Sequence, residues 1–396
     1  MAAGTRVSEA FLRWGWLLPL TLPVVQLAGR APANVVGGVY VLWGLWTLAV
    51  VRPRLPRAPV LLYLAVLAAF AASAAGAEDP LRVARKLFKF AAHTSVFPFT
   101  LMALAAGASV RRLGRTAAAW GLASLAALYV LLPFALARPD YDPTHHLQED
   151  ELPFVAPFLL AGALALRTRM GARRAAAAGL SVLVLVAAYV MLSEGRAALA
   201  GLVVGVGVWT MAALRWRSRA LLAGLALIAV AAAVGGPRFY RHADQIAAQG
   251  WFAVLDQLSS RRMTIWQRAI EQPPARALTG VGLGNPKRLG TLDDVADGWR
   301  IEALHNVFMD AWYETGLLGL AALAAFVLAG LVRLGLALRE ADPGLRPWLG
   351  ACLAGALAVL TAAQLGISIT SRPFSVYLFL VLAAGWVSSR AGPRTA

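Results

Sequence analysis

Arg196 is the residue whose surroundings most restrict what it can do. It ends the short polar sequence Ser193-Glu194-Gly195-Arg196, which lies between two apolar runs. A cation beside apolar segments is costly unless its side chain reaches water or finds a counter-ion. Because a guanidinium binds phosphate oxygens through two coplanar hydrogen bonds, Arg196 predicts a phosphate site at the edge of the apolar region. The alternative is a side chain that snorkels to the surface or pairs with Glu194.

More arginines occupy the long polar segment 236–305. Within it, Arg262-Met-Thr-Ile-Trp266 and the residues that follow predict an amphipathic interfacial helix, with Ile265, Trp266 and Ile270 facing lipid. Arg262 is then a second candidate phosphate ligand. The alternative is a surface helix whose arginines are solvated.

His305 closes this polar segment and is followed by Asn306 and an apolar run. A neutral imidazole at an interface suits a general base, and nearby arginines and a helix N-terminus favour the neutral form. A lone histidine at a helix end can also be purely structural. The turn Gly280-Val-Gly-Leu-Gly284 could present backbone N–H groups to an anion, or simply reverse the chain.

Two further clusters have weaker signals. Arg85 and Lys86 belong to a basic stretch before the fourth apolar run, which indicates either substrate contact or an amphipathic helix on anionic headgroups. His145-His146 and its acidic neighbours could bind a divalent cation, but their spacing matches no established ligand pattern, which favours a solvated loop. The candidates for substrate binding are Arg85, Lys86, Arg261, Arg288 and Asn306.

The composition determines what kind of protein must hold these residues. Of 396 residues, 59% are hydrophobic and 14% are charged, and the mean hydropathy is +0.65. These values exclude a soluble globular enzyme, a disordered chain and a secreted disulfide scaffold. The single cysteine, Cys352, excludes a disulfide within the chain and a cysteine-built metal site. The sequence therefore predicts an all-α polytopic membrane protein.

About twelve apolar segments predict transmembrane helices. They are 14–28, 35–51, 58–75, 90–108, 116–136, 153–166, 175–192, 197–214, 220–235, 306–332, 347–367 and 374–389. One large loop separates the ninth from the tenth. The predicted organisation is a transmembrane part at 1–235, a loop subdomain at 236–305 and a second transmembrane part at 306–396.

The distribution of charge predicts the orientation. The chain has 37 Lys and Arg against 20 Asp and Glu, a net charge of +17. Basic residues collect in short cytoplasmic loops, so this excess does not indicate nucleic acid binding. Both termini are predicted to be cytoplasmic and the 236–305 loop to lie outside. The first span has signal-peptide features before Ala31-Pro32-Ala33, but Pro19 and Pro23 interrupt it, which favours an uncleaved helix.

The ordered set of motifs resembles the O-antigen ligase/polymerase superfamily. The set comprises Ser193-x-Gly195-Arg196, Arg262-x-x-x-Trp266, Gly280-Val-Gly-Leu-Gly284, His305-Asn306 and Glu314-x-Gly316. Each motif is short, so the specificity lies in their order and in their placement on one large loop and its flanking helices. A single dominant loop favours a ligase, because polymerases of the superfamily usually have two.

The resemblance implies a glycosyltransferase of the bacterial inner membrane with a periplasmic active site. Such ligases transfer a polysaccharide from undecaprenyl diphosphate to the lipid A–core, with no nucleotide sugar, ATP, metal or other cofactor. On the matching positions, Arg196 and Arg262 would stabilise the departing diphosphate, and His305 would be the base of a direct, inverting displacement. The implied partners are the lipid-linked polysaccharide, the lipid A–core and membrane lipids. Because Arg261 and Arg262 are adjacent, the choice of Arg262 rests on its spacing to Trp266.

Three other functions stay open. Two are enzymatic: a polymerase that joins repeat units on the same carrier, and a protein O-oligosaccharyltransferase. The third is a transporter, which should have polar residues near mid-membrane in paired halves. Gln26, Gln364, Gly366 and Ser368 are the few candidates for such a role, and they form no repeat. The charges gather at one predicted face instead, which favours an interfacial enzyme.

Overall fold

A computed structural model describes most of the chain as packed α-helices. The described residues are 2–27, 29–137, 151–192, 195–213, 250, 252, 256, 259, 261–289, 291–292, 299–301 and 303–388. A two-stranded antiparallel ribbon, β1 (Thr291–Leu292) and β2 (Trp299–Arg300), pairs Thr291 with Arg300 and Leu292 with Trp299. The all-α polytopic class predicted from the composition is confirmed.

The helices are numbered in chain order. They are α1 (Ala2–Arg13), α2 (Leu22–Leu27), α3 (Arg30–Val51), α4 (Arg57–Ala72), α5 (Pro80–Thr94), α6 (Val96–Ala105), α7 (Val110–Leu136), α8 (Leu152–Ala165), α9 (Arg167–Met170), α10 (Ala172–Leu192), α11 (Arg196–Ala213), α12 (Arg262–Glu271), α13 (Val307–Glu340), α14 (Arg346–Ala363) and α15 (Phe379–Ser388). Short 3-10 segments occur at Gly15–Thr21, Ser73–Gly76 and Pro286–Leu289, and a π-helical segment at Pro373–Leu378 leads into α15.

Nine helices in the described ranges are long and apolar enough to cross a membrane. The bent pair Gly4–Arg13 and Gly15–Leu27 would make a tenth span, and the shorter apolar helix Pro373–Val387 coincides with the last predicted one. The predicted span 220–235 lies outside the described residues. The count of twelve, the division at 235 and the orientation of the termini therefore stay predictions.

The fourth predicted span begins earlier than its hydrophobicity indicated. α5 starts at Pro80, where Asp79 accepts a hydrogen bond from the N–H of Arg82 at 2.9 Å and caps the helix. α6 follows after Ser95, and together they form the membrane-length helix Pro80–Ala105. Arg85 and Lys86 thus lie on the first turns of a helix rather than in a connection.

Small residues bring α11 and α14 together as an antiparallel pair. A Cβ added at Gly201 would lie 2.6 Å from the carbonyl oxygen of Ala358, and one at Gly205 would lie 2.9 Å from the Cβ of Ala358. At the other end, a Cβ at Gly350 would lie 3.1 Å from that of Ala212. Because glycines four residues apart let two helix backbones approach closely, this pairing places the start of α11 beside the end of α14.

A small second core packs under the predicted loop subdomain, apart from the main core of the bundle. Ile265 of α12 is fully buried there, together with Leu304 and Tyr313. The expectation that Ile265 faces lipid is therefore wrong, because this side chain holds α12 against the start of α13. Ile270, on the opposite side of α12, is 65% exposed, in agreement with the predicted amphipathic helix.

The α11–α14 contact can be tested with two glycines of one helix. Gly201→Leu should lower the midpoint of thermal unfolding in detergent, because its side chain must displace the α14 backbone. Gly207→Leu is the matched control, since nothing in the described structure lies within 4 Å of a Cβ there. Equal midpoints for the two variants would contradict this packing.

Candidate active site

A break in α13 organises the polar end of the bundle. Gly316 has φ 69° and ψ −170°, outside the helical region. The N–H groups of Leu317 and Leu318 would ordinarily donate to the carbonyls of Tyr313 and Glu314. They donate instead to Ala277 O at 2.8 Å and Leu278 O at 3.2 Å.

The same loop also satisfies the carbonyl groups that the break leaves without helical partners. Tyr313 O accepts from the N–H of Val281 at 3.1 Å, and Glu314 O accepts from the N–H of Gly282 at 2.9 Å. Unsatisfied backbone groups are costly in an apolar environment, so the loop and the helix break require each other.

Two glycines allow this insertion. A Cβ at Gly316 would lie 2.3 Å from the carbonyl group of Leu278, and one at Gly280 would lie 2.5 Å from that of Glu314. Both glycines have φ 69°, a left-handed conformation that L side chains rarely adopt. The two glycine motifs noted in the sequence are therefore the two sides of one contact.

The glycine turn does bind an acidic group, but that group is a side chain of the protein itself. The N–H of Gly284 donates to Oε2 of Glu314 at 2.7 Å, and Glu314 is only 4% exposed. The N–H of Leu283 donates to Oγ of Ser73 at 3.1 Å. These amides are occupied by internal partners, so the turn serves to position the loop.

The basic start of α5 packs against this turn. A Cβ at Gly284 would lie 2.7 Å from Cγ of Lys86, and Lys86 and Arg82 are both close enough to interact electrostatically with Glu314. Arg85 is exposed on the same helix. Arg276 donates to Ala75 O at 2.9 Å and joins the loop to the segment before α5. Of the two predicted residues on α5, Lys86 thus faces the buried carboxylate and Arg85 faces outward.

Asp256 holds the start of α12 and separates the two adjacent arginines. Its carboxylate accepts from the N–H of Thr264 at 2.8 Å and from the hydroxyl of the same residue at 2.7 Å. It also forms a salt bridge of 3.4 Å with Nη1 of Arg261. Arg261 has φ 65° at the N-cap position, a turn that sends its guanidinium back to Asp256 and leaves Arg262 to begin the helix.

Trp266 brings Arg262 next to His305. Residues four apart share a helix face, and Nε1 of Trp266 donates to Leu304 O at 2.8 Å. His305 directly follows Leu304. The face of α12 that carries Trp266 and Arg262 therefore lies against His305. The Arg262 guanidinium is close enough to act electrostatically on the imidazole.

Gly366, just beyond α14, is where the three predicted catalytic elements meet. Its carbonyl oxygen lies 3.2 Å from Nδ1 of His305. A Cβ at Gly366 would lie 3.4 Å from Nη2 of Arg262 and 3.0 Å from the Cβ of Ala197. Because Ala197 follows Arg196 at the start of α11, the structure brings the predicted histidine, one predicted arginine and the helix turn that carries the other to a single point.

The contact with Gly366 determines which nitrogen of His305 carries the proton. A carbonyl oxygen only accepts hydrogen bonds, so Nδ1 carries the proton, and in the neutral ring Nε2 has the lone pair. Burial lowers the pKa of His305 below its usual value of 6.5; the contact with Gly366 opposes this, and the positive charge of Arg262 lowers the pKa further. A neutral imidazole with a basic Nε2 is the form that a general base requires.

The remaining candidates have different surroundings. Asn306 caps α13, since its Oδ1 accepts from the N–H groups of Phe308 and Met309 at 3.1 Å each. This is a structural role that occupies the Asn306 oxygen. Arg288 belongs to the 3-10 segment Pro286–Leu289, and its side chain lies outside the described part of the structure.

Two buried acidic groups near the site were not singled out from the sequence. Asp310 accepts from the N–H of Leu304 at 2.8 Å and also from the backbone of Ile369, so it ties the His305 loop to the segment after α14. Asp256 is the second. Their signals are weak in sequence: Asp310 lies in the first turn of a helix, where acids are common, and Asp256 lies eight residues before the amide that it caps.

Within the described residues, no three His, Cys, Asp or Glu side chains form a cluster that could hold a metal ion. His145 and His146 lie outside these ranges. The transporter candidates Gln364 and Gly366 lie at and beyond the C-terminal end of α14 rather than at its middle.

Fold and site together define a polytopic α-helical membrane protein whose arginine, histidine and buried carboxylate groups gather at one end of the bundle. Residues 180–324 match the model of a family described as O-Antigen ligase. This match runs from α10 into α13 and includes the five motifs, and it confirms the predicted resemblance to the O-antigen ligase/polymerase superfamily. It supports an enzyme of the glycosyltransferase type with a ligase or polymerase function. No curated protein matches the chain.

The helix break gives a test of the site's framework. Gly316→Ala should lower the midpoint of thermal unfolding, because its Cβ would overlap the Leu278 backbone and its φ and ψ suit only glycine. Gly335→Ala on the same helix meets nothing within 4 Å in the described structure and should be neutral or slightly stabilising. A Gly316→Ala protein as stable as Gly335→Ala would contradict the inserted-loop geometry.

The protonation of His305 can be measured directly. In a ¹⁵N-histidine NMR titration, with the signal assigned by its loss in His305→Gln, the midpoint should lie below pH 6.5. Arg262→Gln removes a nearby positive charge and should move the midpoint upward. Arg261→Gln is the control, because this guanidinium pairs with Asp256. An upward move with Arg261→Gln but not with Arg262→Gln would reverse the assignment of the two arginines.

Proposed function

We propose that this protein is an O-antigen ligase. It transfers a polysaccharide from undecaprenyl diphosphate to a sugar hydroxyl of the lipid A–core, at the periplasmic face of the bacterial inner membrane. The observation that carries the proposal is the meeting of His305, Arg262 and the first turn of α11 at Gly366. The family match over 180–324 supports the reaction type.

The proposed reaction is one displacement at the anomeric carbon of the donor. The acceptor oxygen forms the new glycosidic bond as the bond between the anomeric carbon and the diphosphate oxygen breaks, with inversion. The acceptor proton passes to Nε2 of His305, and undecaprenyl diphosphate leaves with the bonding electron pair. General base catalysis of this kind contributes roughly 10²–10⁴-fold to the rate.

The arginines stabilise the charge that develops on the leaving group. Arg262 is half-buried at the start of α12, and Arg196 is exposed at the start of α11. A guanidinium keeps its charge at any relevant pH and presents several donors in fixed geometry. These cations compensate the negative charge on the departing diphosphate, so the proposed reaction needs no metal ion.

Replacement of the three residues in cells tests the proposal. In a Gram-negative strain that lacks its own ligase but makes lipid-linked O-antigen, the wild-type chain should restore the high-molecular-weight lipopolysaccharide ladder. His305→Ala and Arg262→Ala should each lower ligation by roughly 100-fold, and Arg196→Ala should lower it as well. Arg174→Ala, an exposed arginine at the start of α10, is the matched control at equal membrane levels.

Two outcomes would contradict the ligase assignment. One is chain extension by this protein in a polymerase-deficient strain without transfer to the lipid A–core, which would make it a polymerase. The other is an absence of ligation both with the host core and with purified lipid A–core from the bacterium that encodes the chain.

A further inference from the structure

His305 has a backbone conformation that its surroundings must hold in place. Its φ is 55°, in the left-handed region where the Cβ of an L residue crowds the backbone. Within the described ranges, Arg52 and Arg261 are the only other non-glycine residues with positive φ. Such a conformation persists where neighbouring contacts determine it, and it decides the direction in which the imidazole extends from the main chain.

The residue before His305 is fixed at both of its backbone groups. The N–H of Leu304 donates to Oδ1 of Asp310 at 2.8 Å, and the carbonyl oxygen of Leu304 accepts from Nε1 of Trp266 at 2.8 Å. The Leu304 side chain is fully buried in the small second core. The peptide groups on either side of Leu304 therefore have little freedom to rotate.

Asp310 also holds the residue after His305. The N–H of Asp310 donates to the carbonyl oxygen of Asn306 at 2.7 Å. One residue thus contacts both flanks of His305, through its side chain on one side and its main chain on the other. The segment 304–310 is closed around the residue that carries the imidazole.

The contact between Asp310 and Leu304 differs from an ordinary helix cap. In a capping box, the side chain three residues after the N-cap accepts from the N–H of the N-cap itself. The N-cap of α13 is Asn306, and Asp310, four residues later, accepts from an N–H two residues before the N-cap. Asp310 is fully buried, and a buried carboxylate is costly unless it is hydrogen-bonded. This carboxylate therefore stabilises the loop before the helix rather than the helix end.

The same carboxylate contacts the segment against which the imidazole lies. The backbone of Ile369 hydrogen-bonds to Asp310, and Gly366, three residues earlier, provides the carbonyl oxygen 3.2 Å from Nδ1 of His305. Asp310 thus fixes both the main chain that carries the imidazole and the segment that supplies its hydrogen-bond acceptor.

We propose that Asp310 is the positioning residue of the candidate base. It holds His305 in the left-handed conformation that brings Nδ1 to Gly366 and keeps the proton on that nitrogen. The inference rests on the proposed function, since it gives Asp310 its role through the activity of His305. Asp310 acts as a hydrogen-bond acceptor for Leu304, so an uncharged acceptor of the same shape should replace it.

Substitution of Asp310 in the purified full-length protein tests this role. Asp310→Ala removes the acceptor and should lower kcat for ligation by about tenfold or more, because a displaced base slows the proton transfer. The KM for the lipid-linked donor should change little, since no substrate contact is removed. Asp310→Asn keeps an acceptor oxygen and should restore most of kcat. An Asp310→Asn protein as slow as Asp310→Ala, or a loss confined to KM, would overturn the proposal.

The ¹⁵N spectrum of His305, recorded above its titration midpoint, is a readout that a loss of stability alone would not change. The wild type and Asp310→Asn should show the tautomer protonated at Nδ1, and Asp310→Ala should show a mixture of the two neutral tautomers. A wild-type tautomer in Asp310→Ala would contradict the positioning role.

Asp342 provides the matched control for these measurements. Its carboxylate accepts from the N–H groups of Gly344 and Leu345 at 2.8 Å each, before the start of α14 and so at the end of that helix away from Gly366. Asp342→Ala also removes a carboxylate that accepts from backbone amides. It should leave both kcat and the His305 tautomer unchanged.

A comparison of glycine and alanine at position 305 measures the backbone conformation itself. His305→Gly should have a higher midpoint of thermal unfolding than His305→Ala, because glycine adopts φ 55° with less strain than alanine. In combination with Asp310→Ala the difference should disappear or reverse, since a loop that leaves the left-handed region gains nothing from glycine. An equal difference in both backgrounds would show that Asp310 does not hold this conformation.

Failure of this inference is distinguishable from failure of the proposed function, because the unfolding and ¹⁵N measurements need no substrate. A wild type that ligates, with kcat, tautomer and glycine effect all unchanged by Asp310→Ala, would overturn the positioning role alone. If the wild type does not ligate but the unfolding and ¹⁵N results are as expected, the proposed function fails and the positioning of His305 by Asp310 stands.

Discussion

Four backbone hydrogen bonds join residues 277–282 to the break in α13 at Gly316, and the polar end of the molecule depends on them. A break in a helix is costly in an apolar environment, because each amide and carbonyl group that loses its helical partner must find another one. The loop at 277–282 supplies these partners, and the same hydrogen bonds fix the loop on the helix. It carries Gly284 to the Glu314 carboxylate and packs against Lys86 of α5, so one helix break organises elements that are far apart in the chain.

The second organising feature is the close packing of α11 on α14 through glycine and alanine. It brings the first turn of α11 to Gly366, where the carbonyl of that residue also orients His305. Asp310 ties the His305 loop to the same segment. A base whose tautomer is determined by a backbone carbonyl needs no acidic partner at Nδ1.

The sequence by itself predicted the class of the protein, most of its helices and the resemblance to one family, because hydrophobicity, charge and the order of short motifs can be read from neighbouring residues alone. It predicted His305, Arg196 and Arg262 from residue type and neighbours. It was wrong about Ile265, and it left undecided both the role of the glycine turn and the choice between Arg261 and Arg262. Only the tertiary structure decided that the turn binds Glu314, that Arg261 pairs with Asp256 and that the carbonyl of Gly366 orients His305. Most of these features are contacts between segments that are distant in the sequence. Backbone hydrogen bonds and close packing bring such segments together, and a local sequence pattern does not show which segments will meet.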